Sequence, residues 1–377
     1  MLERKGSLQY KSRVISSVYD GILWTVEPLQ SIVDSHLQGY KAGQLSGDII
    51  YGLKNVVLAI TTGYVAGQNL DVVQKNLVDF VRNLQRHGVK LFLKVALVLL
   101  SQIMVLKDGL HMSRTSHLED MPTEAEILAD ASSAPKLIVY GKVHHLTRAF
   151  LFRNMEDHGA SLQINISHAV AENYHQLEPI ILLGYFFEGL ASFLLVRRSM
   201  MNSSCNDGNE SSSMKLIMEQ GLSALKRMRC WSEHSCWNWE DKRLLLEAEH
   251  MYTLGDYDRA SSLYDRAIRS AHDHKFLHGE AIASELAGIF YHERGMHSES
   301  YPYFVHSVKS YKEWGAHAIA ARVESFMRDV IVATTGGTVD ILRQDQLVST
   351  ITDSSTSTPL GHLFTLSQGG KKKRNEA

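Results

Sequence analysis

Histidine is the residue type in this sequence with the greatest capacity for metal chemistry, since 19 of the 377 residues are His. A zinc-binding helix places two His one turn apart, as in His-Glu-x-x-His. In the pair His292 and His297 the second His lies one residue too far along the chain and across a predicted turn. Cys230 and Cys236 have five residues between them, too many for a zinc-binding thiol pair. The sequence therefore predicts no metal site, and the two Cys are interpreted as small packed hydrophobes.

Motifs that would carry phosphoryl transfer do not occur in the sequence. It contains no Gly-x-x-x-x-Gly-Lys-Ser/Thr loop, no Gly-rich kinase loop with His-Arg-Asp, and no phospho-acceptor His in a Ser-His-Glu setting. Ser, His and Asp residues are plentiful, but the sequence alone does not place any three of them together. We therefore predict no catalytic residue and no cofactor in this chain.

The charges of the sequence are balanced: 39 Lys and Arg residues oppose 41 Asp and Glu residues, and the formal net charge is -2. Such a chain has no overall basic surface for the phosphates of nucleic acid, so we expect no nucleic-acid partner. Its three Cys are too few for a disulfide framework, and its first residues lack a secretory signal. We predict a cytoplasmic protein, with nuclear import through the basic run Lys371–Arg374 as the alternative.

Three apolar stretches need testing as membrane spans, which require about 20 mostly apolar residues. The stretches 49–66 and 91–106 each contain a Lys, and Pro179–Val196 carries Glu188 near its middle. A charged side chain is costly at the centre of a bilayer. We therefore predict no membrane span and interpret Pro179–Val196 as a buried helix.

Apolar residues recur at alternating spacings of three and four along most of the sequence, which is the pattern of helices with one buried face. The clearest window runs from Glu240 to His274, where two apolar stripes flank the turn signal Leu254-Gly255-Asp256. Because so short a connection leaves no room for a crossover, the two helices must lie antiparallel. The sequence thus predicts an all-α protein built from helix hairpins.

This hairpin recurs when the sequence is shifted by 40 residues, so that Gly255 falls on Gly295 and Tyr264 falls on Phe304. Small residues mark where the two helices of a hairpin approach closely, and large ones fill the space to the next hairpin. The order of small and large residues resembles the tetratricopeptide (TPR) repeat, which predicts a TPR-like α-solenoid. The residues that carry this resemblance are Ala248, Gly255, Asp256, Tyr257, Ala260, Tyr264 and Ala267.

A wider resemblance covers roughly residues 10–330. The residues that carry it are Gly47–Tyr51, Gly67–Leu70, Trp239–Glu249, Phe276, His278–Ala281, Glu285–Ala287, Phe290, Tyr291, Tyr311 and Trp314–Ala316. They are similar to the helical repeat region of very large signalling proteins. Those proteins also carry a serine/threonine-kinase-like domain, an AAA-type ATPase domain, a GAF sensor and a histidine kinase. The resemblance implies a regulatory role without the catalytic domains.

Composition divides the chain into an N-terminal tail (1–9), a solenoid (10–333) and a tail (334–377). The last segment is rich in Ser and Thr and ends in the basic run, and it has too few apolar residues to offset the entropy of ordering it, so we predict that it is disordered. A polar, Ser-rich stretch at 202–213 is predicted to be a loop inserted between helices.

We predict a non-catalytic protein-interaction and regulatory module in kinase or histidine-kinase (two-component-like) signal transduction. Its partner would be a kinase, a response regulator or the missing domains of its own family. One alternative is a fragment of a larger multidomain kinase and AAA ATPase signalling enzyme, and another is a self-contained hydrolase. In a solenoid the first helix of each hairpin faces a groove. The candidate groove residues are Lys242, Glu249, Tyr252, Thr253, Ile282, Glu285, Ile289 and His292.

Overall fold

The structure, a computed structural model, describes residues 8–87, 89–109, 122–130, 135–155, 166, 170, 178–202 and 208–335. Within these residues it contains fourteen α-helices, one 3₁₀ helix and no strand, so the all-α prediction is confirmed. The elements are α1 (Leu8–Gly21), η1 (Leu23–Thr25), α2 (Leu29–Ser46), α3 (Ile49–Val65), α4 (Leu70–His87), α5 (Lys90–Asp108), α6 (Glu124–Ala129), α7 (Pro135–Leu151), α8 (Pro179–Asn202), α9 (Gly208–His234), α10 (Cys236–Thr253), α11 (Tyr257–Asp273), α12 (Leu277–Glu293), α13 (His297–Trp314) and α14 (His317–Thr335).

The hairpin predicted from residues 240–274 is present as α10 and α11, which pack on each other across a three-residue turn. Gly255 in that turn has a φ of 78°, a left-handed conformation that favours Gly. This conformation lets the N–H of Asp256 donate to the carbonyl of Met251 at 3.0 Å. The side chain of Asp256 then accepts a hydrogen bond from the N–H of Arg259 and caps α11. The local sequence therefore specifies both the end of α10 and the start of α11.

The hairpin that recurs after 40 residues in the sequence also recurs in the structure. Gly295 follows α12 with a φ of 73°, as Gly255 follows α10, and α12 packs on α13. Tyr264 and its counterpart Phe304 are both buried. A Cβ on Gly288 would lie only 2.8 Å from the ring of Phe304, so this position has to be small. The left-handed Gly at the turn and the large buried residue after it therefore recur 40 residues apart, as the sequence pattern predicts.

Close backbone contact joins the first three helices. A Cβ on Gly43 would lie 2.7 Å from the Cα of Gly52, so α2 and α3 cross with almost no space between their backbones. Beside the crossing, the buried amide of Asn55 donates to the carbonyl of Ser12 at 2.9 Å. The Oδ1 atom of Asn55 lies 2.9 Å from Nδ1 of His36. These contacts fix α1, α2 and α3 as one packed unit.

Helix α8 is, within the described chain, the one helix that is long and apolar enough to cross a membrane. In its most apolar window, 94% of the residues are buried inside the protein. Glu188, in the middle of this helix, accepts a hydrogen bond from the N–H of Ile166 at 3.0 Å. Packing against other helices therefore accounts for the apolar character of α8, in agreement with its interpretation as a buried helix.

Asn238 in α10 joins the C-terminal hairpins to the N-terminal helices. Its Oδ1 accepts a hydrogen bond from the N–H of Leu29 at 3.0 Å, and its Nδ2 donates to the carbonyls of Trp24 and Glu27 at 3.1 and 2.9 Å. The indole rings of the buried Trp24 and Trp239 meet edge to face with centroids 6.4 Å apart. The hairpins α10–α13 therefore do not stand free, because N-terminal residues cover part of them.

Three predicted boundaries differ from the structure, and the first is the N-terminal one, because α1 begins at Leu8 inside the predicted tail 1–9. The polar stretch 202–213 is not a loop throughout, since Asn202 ends α8 and α9 already begins at Gly208. Ser lowers helix stability only modestly, so a helix held by the buried residues Ala224, Leu225 and Met228 extends back through the Ser-rich residues. Residues 203–207 lie outside the described chain, as do 1–7 and the predicted tail from 336 onward. Helix α14 extends to Thr335, past the predicted limit at 333.

Candidate functional site

Six of the eight predicted groove residues lie inside the protein. Their exposed fractions are 8% or less, and they are Lys242, Glu249, Tyr252, Thr253, Ile282 and Glu285. Ile289 and His292 are partly exposed. The prediction that the six buried side chains face a partner is therefore wrong, because residues from other parts of the chain already cover them.

Glu285 in α12 is the centre of a buried ionic cluster. Its carboxylate accepts hydrogen bonds from Arg153 at 2.6 Å, from Arg322 at 2.7 Å and from the hydroxyl of Tyr311 at 2.9 Å. Burial alone would raise the pKa of Glu285, but the charges of Arg153 and Arg322 outweigh it and lower the pKa to about 2. The four side chains come from α12, α13, α14 and the turn after α7, so this cluster ties four segments together.

Three other predicted groove residues surround Arg197 of α8. Its guanidinium donates to the carboxylate of Glu249 at 2.5 Å and to the hydroxyl of Thr253 at 3.2 Å. It also lies over the ring of Tyr252, 4.4 Å from the centroid. The hydroxyl of Tyr264 donates to the second oxygen of Glu249. Apolar periodicity does not indicate the burial of Arg197, because a charged residue directly after an apolar stretch can equally lie at an exposed helix end.

Lys242 lies fully buried at the contact between α10 and α12. Its ammonium is 3.1 Å from the carboxylate of Asp241 and 4.0 Å from the centroid of the Phe276 ring. Burial lowers the pKa of Lys242, and the neighbouring Asp241 opposes this shift only in part. His278, near the start of α12, packs on Trp314 at the end of α13, with the ring centroids 5.4 Å apart. These side chains are part of the packed interior.

Replacing one member of the Lys242–Asp241 pair should lower the free energy of unfolding much more than replacing both. Lys242→Met leaves the buried carboxylate of Asp241 without its cation, so we expect a loss of about 3–5 kcal/mol in the free energy of unfolding. Adding Asp241→Asn to this variant removes the stranded charge and should restore most of the loss. Urea unfolding followed by circular dichroism measures both values. Equal stabilities for the single and double variants would contradict the expectation.

An open groove lies in the N-terminal part of the chain, between α2 and α4. Its cavity volume is about 340 Å³, and α3 forms its floor. Leu37, on the α2 wall, is 42% exposed although it is apolar. The lining residues are Val33, Leu37, Tyr40, Val56, Ala59, Ile60, Gln68, Val73, Asn76, Asp79, Phe80 and Asn83. The sequence indicates only that Val33, Leu37 and Tyr40 have the spacing of one helix face, and it does not indicate that a groove opens beside them.

The two walls of the groove differ in chemistry. The wall from α2 and the floor from α3 are largely apolar, and they include Leu37 and the buried Ile60. The wall from α4 carries the amides of Asn76 and Asn83, seven residues apart and therefore about 10 Å apart along the helix. Asp79 lies between these amides and is the one charged residue of the lining. The groove can therefore bind an apolar surface along one edge and hydrogen-bond donors along the other.

Candidate metal ligands do not form a cluster of three or more side chains in the described part of the chain. No group of three or more His, Cys, Asp or Glu residues there could hold a metal ion. Cys230 and Cys236 are exposed, so their interpretation as packed hydrophobes is wrong. They lie near the end of α9 and at the start of α10, on either side of a helix junction, where little of the surrounding protein covers them.

Comparisons with known proteins give no relative for this chain. No protein-family model matches the sequence, and neither the curated proteins nor the solved structures contain a match.

Proposed function

We propose that this chain is a non-catalytic protein-interaction module, a TPR-like α-solenoid with a regulatory role in kinase or histidine-kinase signal transduction. The observation that carries the proposal is the repeated hairpin. The pairs α10–α11 and α12–α13 share a left-handed Gly at the turn and the same order of small and large buried positions. Stacked repeats of this kind bury one face on their neighbours and use the remaining surface to bind other proteins.

The groove between α2 and α4 is the surface that we assign to the partner, and an amphipathic helix is the occupant. Helices α2 and α4 both pack on α3, and the cavity separates them. A helix is recognised in such a groove through apolar residues at spacings of three and four, which would displace water from Leu37 and Ile60. Because Asp79 is the charged residue of the lining, the edge of the incoming helix that faces α4 would carry Lys or Arg.

Affinity capture with the whole chain and a pair of matched variants tests the function. We expect the chain to retain a protein that contains a kinase or receiver domain. Leu37→Glu places a charge in the groove and should weaken that binding by about tenfold or more, which corresponds to at least about 1.4 kcal/mol. Leu45→Glu is the control, because Leu45 is on the same helix, is 78% exposed and does not line the groove.

The proposal fails if the captured proteins contain no kinase or receiver domain. If such a partner binds but Leu37→Glu and Leu45→Glu weaken it equally, the interaction function stands and the assignment of the groove is wrong. Hydrolysis of ATP or of an ester by the purified chain would instead favour an enzyme, provided that the activity persists in preparations free of contaminants.

A further inference from the structure

Two accessible His side chains meet at the turn between α12 and α13. The Nδ1 atoms of His292 and His297 lie 3.0 Å apart, and the ring centroids are 4.9 Å apart. The five-residue spacing is unsuitable for one helix face, but the two residues do not share a helix. Gly295 has a φ of 73°, and the N–H of Met296 donates to the carbonyl of Tyr291 at 2.9 Å. This turn reverses the chain and brings the two imidazoles together.

The distance between the two nitrogens suits a chelate. Imidazole nitrogens bind zinc at about 2.0–2.1 Å, which places two nitrogens on one ion about 2.9–3.4 Å apart for bond angles between 90° and the tetrahedral value. His297 is exposed, so solvent and ions reach the site.

We propose that His292 and His297 form a two-ligand binding site for a divalent transition-metal ion, with water completing the coordination. Imidazole ligands suit Cu²⁺, Ni²⁺ and Zn²⁺, and the general order of affinities predicts the tightest binding for Cu²⁺. The ion links the end of α12 to the start of α13. Since the ion binds the folded turn, it also stabilises the fold by mass action.

Nickel titration of the whole chain tests this site, with calorimetry to count the bound ions. We expect His292→Ala and His297→Ala each to lose the same single equivalent of Ni²⁺, and the double variant to lose no more. This non-additive result is the signature of one ion held by both rings. His317→Ala is the control, because His317 is also the first residue of a helix and is also exposed. It should keep the full stoichiometry.

Three results would overturn the site. The first is that His297→Ala binds as much Ni²⁺ as His317→Ala. The second is that the losses in the two single variants add in the double variant, which would mean that each ring binds an ion alone. The third is that Ni²⁺ fails to raise the melting temperature of the wild-type chain relative to His297→Ala, while circular dichroism shows both to be folded. These outcomes do not depend on the partner-binding function.

Discussion

Replacing Glu285 with Gln should destabilise this protein by about 3–5 kcal/mol. The neutral amide keeps the size of the side chain but removes the negative charge that two guanidinium groups share. Arg153 and Arg322 would then lie close together without the carboxylate that they share, in a site where Glu285 is 1% exposed. The loss approaches the total stability of many domains, so the variant should be partly unfolded at 37 °C. Urea unfolding at pH 7 measures the difference.

Glu219→Gln is the matched control for this experiment. Glu219 is exposed on α9, so the same chemical change there should alter the free energy of unfolding by less than about 0.5 kcal/mol. Arg322→Met separates the contributions within the cluster, because Arg153 remains to neutralise Glu285 and the loss should be smaller than in Glu285→Gln. A change within 0.5 kcal/mol for Glu285→Gln would contradict the assignment of this cluster as a structural centre.

Acidification below pH 6.5 should destabilise the protein through its buried His residues. Burial lowers the pKa of His36 to about 4, that of His144 to about 3, and that of His278 well below its usual value. In the unfolded chain these residues take up protons below about pH 6.5, whereas in the folded chain they stay neutral. The unfolded state therefore binds more protons, and stability falls as the pH falls.

The expected slope follows from the linkage between proton binding and folding. Each of these His residues contributes a loss of about 1.4 kcal/mol per pH unit below its unfolded pKa, or about 2 kcal/mol at pH 5. For His144 this loss continues down to about pH 3. Glu285 adds a separate loss only below its ordinary pKa of 4.5, because its folded pKa is about 2. Unfolding free energies measured at pH 7.5, 6.5, 5.5 and 4.5 would show the onset near 6.5.

His144→Leu isolates one of the groups. Neither ring nitrogen of His144 has a hydrogen-bond partner among the described residues. An apolar replacement therefore breaks no hydrogen bond of this side chain. The variant should reduce the slope between pH 6.5 and 5 by about 1.4 kcal/mol per pH unit. His317→Ala, at an exposed position, should leave the slope unchanged. An onset of acid unfolding near pH 4.5 in the wild-type chain would show that the buried His residues are protonated in the folded state.

The predictions from sequence that are correct concern structure formed by interactions between neighbouring residues. The turn at Gly255 and the helices on either side of it follow from apolar spacing and from one left-handed residue, and the same pattern 40 residues later gives the turn at Gly295. Helix α8 was identified as a buried helix from its apolar length and from Glu188. The turns and helix ends rest on interactions within about ten residues of chain, and the apolar composition of α8 indicates burial without showing which segments cover it.

The candidate site could not be obtained in the same way, because burial depends on which distant segments meet. Glu285 was expected on an accessible wall, but its partner Arg153 comes from a position 132 residues earlier. Asn238 is occupied by main-chain groups more than 200 residues away. The convergence of His292 and His297 required the reversal of the chain at the turn, which spacing along a single helix does not represent.

Sequence alone determined the helices and their repeated pairing, since those follow from local geometry. The tertiary structure decided which charges are buried and which groove stays open, since both depend on the free energy of contacts between remote segments.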